Sequence, residues 1–170
     1  MFIIQKEPSK EAKIYLKLLE KQIGEIPPHF KLFATIHLER FKKFINELNY
    51  ITNHAVIHKD FFTFLRYYIA ATHNFTYCIE LNSKLLLRSG YSKANLKDTL
   101  EKKSLPLQKR LTTLFRKAIK ALEYPKDFCK DDLQELYKLN FSESDIYDAI
   151  EHGAFLFQSY KIIQAYKEKI

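Results

Sequence analysis

The sequence predicts an all-α protein, and three observations support this class. Apolar residues recur at three- and four-residue steps along most of the chain, as on one face of an α-helix. Serine, proline and glycine stand at positions typical of helix starts and stops. No stretch alternates apolar and polar residues as a half-buried strand does. The 170 residues suit one domain, residues 1–170, with about seven or eight helices.

The first part of the chain is predicted to form two helices. Ser9 can cap a helix that ends near Ile23, and the Gly-Glu-Ile-Pro-Pro stretch at 24–28 stops it because proline lacks an amide donor. A second helix is predicted over residues 30–48, where apolar residues recur at helical spacing. Residues 49–58 are predicted to form a turn.

Six further helices follow the same spacing. Gly90 stands in the stop position after one of them, and Pro106 stands in the first turn of another. The Ser-Glu-Ser-Asp sequence at 142–145 resembles a capping box and opens the last helix. The predicted ranges are residues 59–73, 75–88, 92–100, 106–122, 131–139 and a final helix from 142 that carries Ile162 and Ile163.

The composition excludes several classes of protein. Three glycines leave no room for a Gly-rich phosphate loop, and two distant cysteines, Cys78 and Cys129, exclude a disulfide scaffold and a Cys-rich zinc module. The 28 basic and 20 acidic residues give a net charge of +8. The lysines are spread along the chain, which favours a solvated surface over nucleic-acid binding. An anionic partner held through this charge is a further hypothesis.

The N-terminal sequence and the hydropathy predict a cytoplasmic protein. Residues 1–8 acquire charge too early for a signal peptide. No run approaches the ~18 apolar residues of a membrane helix. The longest candidate, residues 61–71, is broken by Thr63 and Arg66. We therefore expect no membrane span, and we expect both thiols to stay reduced.

Residues 59–82, followed by the Gly-Tyr-Ser at 90–92, resemble the core of the AhpD-like, carboxymuconolactone decarboxylase family, also called alkylhydroperoxidase-like. That core has a helix opening with Glu, a redox Cys-x-x-Cys at the next helix start, a His four residues on, and a Gly-aromatic/small-Ser turn. The sequences at 23–28, 132–136 and 141–146 resemble its entry and tail motifs. The similarity spans residues 20–168 and implies an AhpD-like helical domain that assembles as a homo-oligomer.

Only one of the family's four functional positions keeps its residue here. The second cysteine matches Cys78, whereas the first falls on Phe75. The histidine falls on Asn82 and the glutamate on Thr63. A peroxidatic thiolate needs a resolving thiol and a nearby base, and these three substituted residues supply neither. The resemblance therefore implies a divergent, peroxidase-like member without the two-cysteine reaction, and the family's decarboxylase branch depends on acid–base side chains that are also missing.

Two functional hypotheses remain open from the sequence. In the first, Cys78 carries residual thiol redox chemistry as a single nucleophile, with an external thiol as partner. In the second, the protein is a non-catalytic binding or scaffolding oligomer whose old cleft is filled or holds a small apolar ligand. Neither hypothesis requires a cofactor or a metal. The expected neighbours of the cleft are Tyr67, His73 and Tyr77.

Each candidate residue also has a plainer interpretation. Cys78 can be a small buried apolar residue, and His73 can simply end a helix. His54 and His58 have the i, i+4 spacing of a metal pair but lack a third ligand in the motif. The aromatic run at 61–68 is predicted to lie in the core or at a subunit interface.

Overall fold

A computed structural model gives the structure of the chain, which is described here over residues 2 and 6–167. Residues 1, 3–5 and 168–170 lie outside the described residues; they include much of the N-terminal segment discussed above. The described part forms nine α-helices, so the chain has an all-α fold, as predicted. They are α1 (Lys10–Ile23), α2 (Pro28–Ile36), α3 (Leu38–Thr52), α4 (Lys59–Thr72), α5 (Thr76–Arg88), α6 (Lys93–Lys102), α7 (Lys109–Glu123), α8 (Lys130–Lys138) and α9 (Glu143–Ala165).

The helix count exceeds the prediction because the helix expected over residues 30–48 is two helices. His37 has φ −156° and ψ 89°, which is extended backbone, and it separates α2 from α3. Its ring accepts a hydrogen bond from the backbone amide of Arg40 (3.4 Å), as a capping side chain does at a helix start. The apolar spacing continues across His37, so periodicity alone could not reveal the break.

Serine residues cap three helices as their positions in the sequence suggest. The Ser9 hydroxyl accepts from the Ala12 amide at the start of α1 (3.1 Å). Before α6, the Ser92 hydroxyl accepts from the Asn95 amide (3.2 Å). The Ser142 hydroxyl accepts from the Asp145 amide (3.2 Å), and the Ser142 amide donates back to the Asp145 carboxylate (2.7 Å). The predicted capping box of the last helix is therefore present.

The chain divides into two compact units, Met1–Tyr50 with Lys161–Ile170 and Ile51–Tyr160. In the first unit, α1 packs on α2 around an aromatic cluster in which the buried His29 contacts Phe30, Phe33 and Phe44. The four lysines of α1 are all exposed, as the sequence suggested. The single domain over residues 1–170 stays a prediction.

In the second unit, α4 and α5 form a tightly connected pair, and α4 also contacts α6 and α7. The turn between α4 and α5 is short because Asn74 adopts a left-handed backbone (φ 56°), which asparagine tolerates. The Phe75 amide donates to the Ala70 carbonyl across this turn (2.8 Å). The predicted core run on α4 is buried: Phe61, Phe62, Phe64, Tyr67 and Tyr68.

None of the helices within residues 6–167 has the length and apolar character needed to cross a membrane.

Candidate functional site

The α4–α5 pair carries all four positions that the resemblance predicts to be functional. Thr63 lies in the second turn of α4, Phe75 is the N-cap residue of α5, and Cys78 and Asn82 lie in the first two turns of α5. All four side chains are buried, with Cys78 and Asn82 each only 1% exposed. The four positions therefore lie together on one buried helix pair.

Arg66 links these positions, and the sequence analysis assigned it no functional role. One turn after Thr63 on α4, its Nη2 group donates to the Thr63 hydroxyl (2.8 Å). Its Nε group donates to the Asn82 side-chain oxygen on α5 (3.0 Å). The Asn82 amide nitrogen in turn donates to the Cys78 carbonyl (2.7 Å). We call Thr63, Arg66, Asn82, His152 and Tyr160 the Arg66 cluster.

Helix α9 completes the Arg66 cluster. The Tyr160 hydroxyl accepts from the Asn82 amide (3.1 Å) and donates to the Arg66 carbonyl (3.2 Å). His152 lies with its Nε2 atom 3.5 Å from Arg66 Nη1. The next residue is Gly153, where any Cβ atom would overlap the Leu122 side chain of α7. Glycine therefore lets α9 approach α7 closely, one residue after His152.

Arg66 is a cation whose hydrogen-bond partners are all uncharged. No carboxylate of the described residues forms an ion pair with it. Asp60 lies close enough for an electrostatic attraction that partly offsets the desolvation of Arg66. Burial lowers the pKa of Arg66 from its usual value, with Tyr160 and Asp60 acting in the opposite direction. A guanidinium keeps its proton in proteins even so, so the cluster holds one positive charge.

Burial is the main influence on the protonation of the groups around Arg66. Burial, followed by the positive charge of Arg66, holds the pKa of His152 well below its usual value, so this ring is neutral near pH 7. Because a guanidinium only donates, His152 Nε2 faces it as an acceptor and the ring proton lies on Nδ1. Burial also raises the pKa of Tyr160 well above its usual value. No group in the Arg66 cluster exchanges a proton readily at neutral pH.

An aromatic side chain occupies the position of the family's first cysteine. The Phe75 ring lies 5.4 Å from the Tyr160 ring, edge to face, and 6.1 Å from the Phe157 ring. The His73 ring stacks on Phe75 at 5.9 Å. These contacts pack the space beside Cys78 with rings from α4, α5 and α9.

The two cysteines differ in accessibility. Both are free thiols; Cys78 is buried, whereas Cys129 is exposed. Cys129 is the N-cap residue of α8, where its backbone amide donates to the buried carboxylate of Asp132 (2.9 Å). That carboxylate also accepts from Lys117 and Lys120 (2.8 and 2.7 Å). Cys129 therefore belongs to a separate capping arrangement.

The expected neighbours of the cleft have ordinary structural roles. His73 is the C-cap residue of α4, and its Nε2 atom lies 3.2 Å from the Glu123 carboxylate. Tyr67 is buried, and that burial raises the pKa of its hydroxyl. Tyr77 is half-buried in the first turn of α5.

The sequence contained one overlooked signal for this cluster. Arg66 interrupts the longest apolar run of the chain, and a charged residue inside a buried helix needs polar partners. From the sequence alone, Arg66 counted only against a membrane helix. His152 and Tyr160 carry no comparable signal, because nothing in their spacing on α9 shows that they face α4 and α5.

His54 and His58 serve as backbone caps. The Nδ1 atom of His54 accepts from the amides of Val56 and Ile57 (3.1 and 3.0 Å), while its Nε2 atom lies 3.2 Å from Asp148. The His58 ring accepts from the Asp60 amide at the start of α4 (3.3 Å). Within the described residues, no group of three or more His, Cys, Asp and Glu side chains is arranged to hold a metal ion.

No protein-family profile and no curated protein matches this chain. Solved structures do match its fold. One is an uncharacterized peroxidase-related protein from Silicibacter sp. TM1040, with a TM-score of 0.79 and 14% identity over 96% of this chain and 93% of that one. Another is an alkylhydroperoxidase AhpD core, an uncharacterized peroxidase-related protein from Ralstonia eutropha JMP134, with a TM-score of 0.78 and 13% identity over 95% and 87% of the two chains. The chain therefore has the AhpD-like fold.

Proposed function

We propose that this chain is a divergent alkylhydroperoxidase-like protein that does not run the two-cysteine peroxidase cycle and acts as a non-catalytic binding or scaffolding protein. The observation that carries the proposal is the Arg66 cluster. The resemblance assigns the positions of the family's glutamate and histidine to Thr63 and Asn82, and both side chains accept hydrogen bonds from Arg66. A static polar network thus stands where proton transfer would be needed.

The chemistry of the cycle explains why this replacement matters. A thiolate sulfur attacks a peroxide oxygen, the O–O bond breaks, and the cysteine becomes a sulfenic acid while an alcohol leaves. A second thiol then condenses with the sulfenic acid, which releases water and forms a disulfide. Phe75 has no sulfur to perform the second step, and the thiol of Cys78 is only 1% exposed for the first.

A single-cysteine thiol reaction at Cys78 is the second candidate function. Two observations favour it. Cys78 lies in the first turn of α5, where the helix dipole stabilises a thiolate. The cation Arg66 lies nearby, because Asn82 hydrogen-bonds both to Arg66 and to the Cys78 carbonyl. The sulfenic acid would then need two external thiols, one to form a mixed disulfide and one to release it. The burial of Cys78 places this candidate second.

Peroxide consumption with an external thiol separates the two candidates. The test compares wild type with C78S and with C129S, which removes the exposed thiol as a matched control. We expect all three proteins to consume hydrogen peroxide and an alkyl hydroperoxide at the background rate of the thiol alone. A wild-type rate that is lost in C78S and kept in C129S would establish the single-cysteine reaction and overturn the non-catalytic proposal.

The proposal includes assembly as a homo-oligomer in the cytoplasm. The resemblance implies the assembly, and α1 supports it with three large apolar side chains that are about half exposed, Ile14, Leu18 and Ile23. Sedimentation of wild type and of the doubly substituted I14K/L18K chain tests this part. We expect an oligomer that the two lysines dissociate; a wild-type monomer would contradict it.

A further inference from the structure

A second place in the 51–160 unit has the properties of a ligand site. A cavity of about 320 Å³ lies between the loop that precedes α4 and the start of α7. Its volume falls at the lower end of the range for small-molecule sites. The lining residues are His54, Ala55, Val56, Ile57, His58, Leu107, Gln108, Arg110 and Leu111. We call this cavity the Arg110 pocket.

The wall of the Arg110 pocket is fixed in place before any ligand arrives. His54 Nδ1 accepts from two successive loop amides, those of Val56 and Ile57, so this nitrogen carries no proton. The opposite nitrogen, Nε2, then carries the proton and donates to Asp148 (3.2 Å). The imidazole therefore ties the loop to α9. A wall held in this way costs little ordering on binding.

Arg110 supplies a positioned positive charge. Its Nη2 group lies 3.4 Å from the Val56 carbonyl, its Nε group 3.3 Å from the Gln108 side-chain oxygen, and its guanidinium 4.7 Å from the centre of the Phe141 ring. No carboxylate of the described residues pairs with it. Because a guanidinium has five N–H donors, these contacts leave donors for a ligand.

The electrostatics of the pocket favour an anion. None of its lining residues is acidic. Asp148 and Asp145 of α9 face His54 Nε2, and Asp60 lies 3.6 Å from His58 Nδ1 and accepts from the Tyr91 hydroxyl (2.8 Å). These carboxylates therefore contact the two histidines of the wall and form no ion pair with Arg110. The positive ends of α4 and α7 add to the field, since their N-cap residues His58 and Gln108 both line the pocket.

The remaining wall is apolar. Ile57 and Leu111 are buried behind the cavity, and Val56 and Leu107 lie at its sides. The volume corresponds to about ten water-sized groups, at ~30 Å³ each. We propose that the Arg110 pocket binds a small organic anion, with its anionic group on Arg110 and an aliphatic portion of several carbons against Ile57, Leu107 and Leu111. This inference stands independently of the proposed loss of peroxidase chemistry.

Titration with defined probes tests the proposal. The probes are hexanoate and hexyl phosphate, which distinguish a carboxylate from a phosphate headgroup, and hexanol, which has the tail without the charge. Binding is followed by calorimetry and by the amide NMR shifts of residues 54–58 and 108–111. We expect saturable binding of at least one anion, at least tenfold tighter than hexanol. Absence of saturable binding by both anions, or equal binding of hexanol, would overturn the proposal.

A pair of variants on one helix localises the binding. R110M keeps an aliphatic stem over Phe141 but removes the charge, and R116M removes an arginine of α7 that bonds backbone carbonyls outside the pocket. We expect R110M to weaken anion binding at least tenfold and R116M to change it less than twofold. A second variant, L111W, should fill the cavity and also abolish binding. Wild-type affinity in R110M would contradict the proposal even if the anion binds the chain elsewhere.

Discussion

Arg66 and Arg110 of the second unit both lack a carboxylate partner among the described residues, and their surroundings differ. Arg66 is enclosed by neutral side chains from three helices. Two of these side chains, Thr63 and Asn82, accept hydrogen bonds from it at 3.0 Å or less. Arg110 lies at the wall of a cavity, with contacts of 3.3–3.4 Å to one side chain and one carbonyl. The enclosed charge organises the protein's own polar groups, whereas the other is left facing space that a ligand can fill. The same residue type therefore serves structure in one place and recognition in the other.

The largest expected effect comes from opening the enclosed region. F75A removes a buried ring that packs on Tyr160 and Phe157, and it should lower the free energy of unfolding by about 3–5 kcal/mol. F75L, which keeps most of the volume, should cost less than about 1.5 kcal/mol. Chemical denaturation measures both. A loss below about 1 kcal/mol in F75A would mean that this ring does not fill the old cleft.

Removing the central amide of the Arg66 cluster should have the next largest effect. N82A removes one buried hydrogen bond each from Arg66 Nε, the Cys78 carbonyl and the Tyr160 hydroxyl. We expect a loss of about 2–3 kcal/mol in the free energy of unfolding. The exposed substitution K84A on the same helix is the control and should stay within about 0.5 kcal/mol of wild type. Equal stability of N82A and K84A would show that the cluster does not support the fold.

The pH dependence of stability should report on the buried His152 of the Arg66 cluster. The pKa of His152 is depressed in the folded chain by burial and Arg66. The unfolded chain therefore binds more protons below a pH of about 6.5, and stability falls as the pH drops, by up to about 1.4 kcal/mol per unit. The buried His29 adds to this fall, because burial lowers its pKa to about 3.

Denaturation between pH 7 and pH 5 measures this slope. H152Q should reduce the slope by about 1 kcal/mol per pH unit. K84A, which leaves every histidine in place, is the control and should keep the slope of wild type. An unchanged slope in H152Q would contradict the assignment of a neutral histidine beside Arg66.

The smallest expected effect is on the stability of the open region. R110M should change the free energy of unfolding by less than about 1 kcal/mol, because the hydrogen bonds that it loses are long and exposed to solvent. Thermal and chemical denaturation of R110M without ligand check this. A loss as large as that of N82A would mean that Arg110 is a structural residue, and the comparison between the two arginines would fail.

The sequence predicted the fold well where local signals were strong. Ser9 and Ser142 cap the helices assigned to them, and the aromatic run of α4 lies in the core. The break at His37 escaped prediction because a side chain caps the backbone there while the apolar spacing runs on.

The candidate site was only half predictable from the sequence. The resemblance predicted that Thr63, Cys78 and Asn82 belong to one site, and in the structure Thr63 lies on α4 and Cys78 and Asn82 lie on α5. What joins them is Arg66, together with His152 and Tyr160 from a helix some 70 residues further along the chain than Asn82. Such contacts depend on tertiary packing, which residue spacing on one helix does not encode.

The accessibility of Cys78 tests most directly whether the old site is closed. Native protein is treated with iodoacetamide, and mass spectrometry follows the alkylation of each cysteine with and without denaturant. We expect Cys129 to react in the folded protein and Cys78 to react at least about a hundredfold more slowly until the chain unfolds. Alkylation of native Cys78 as fast as that of Cys129, or faster, would show an open and reactive site and would contradict the non-catalytic proposal.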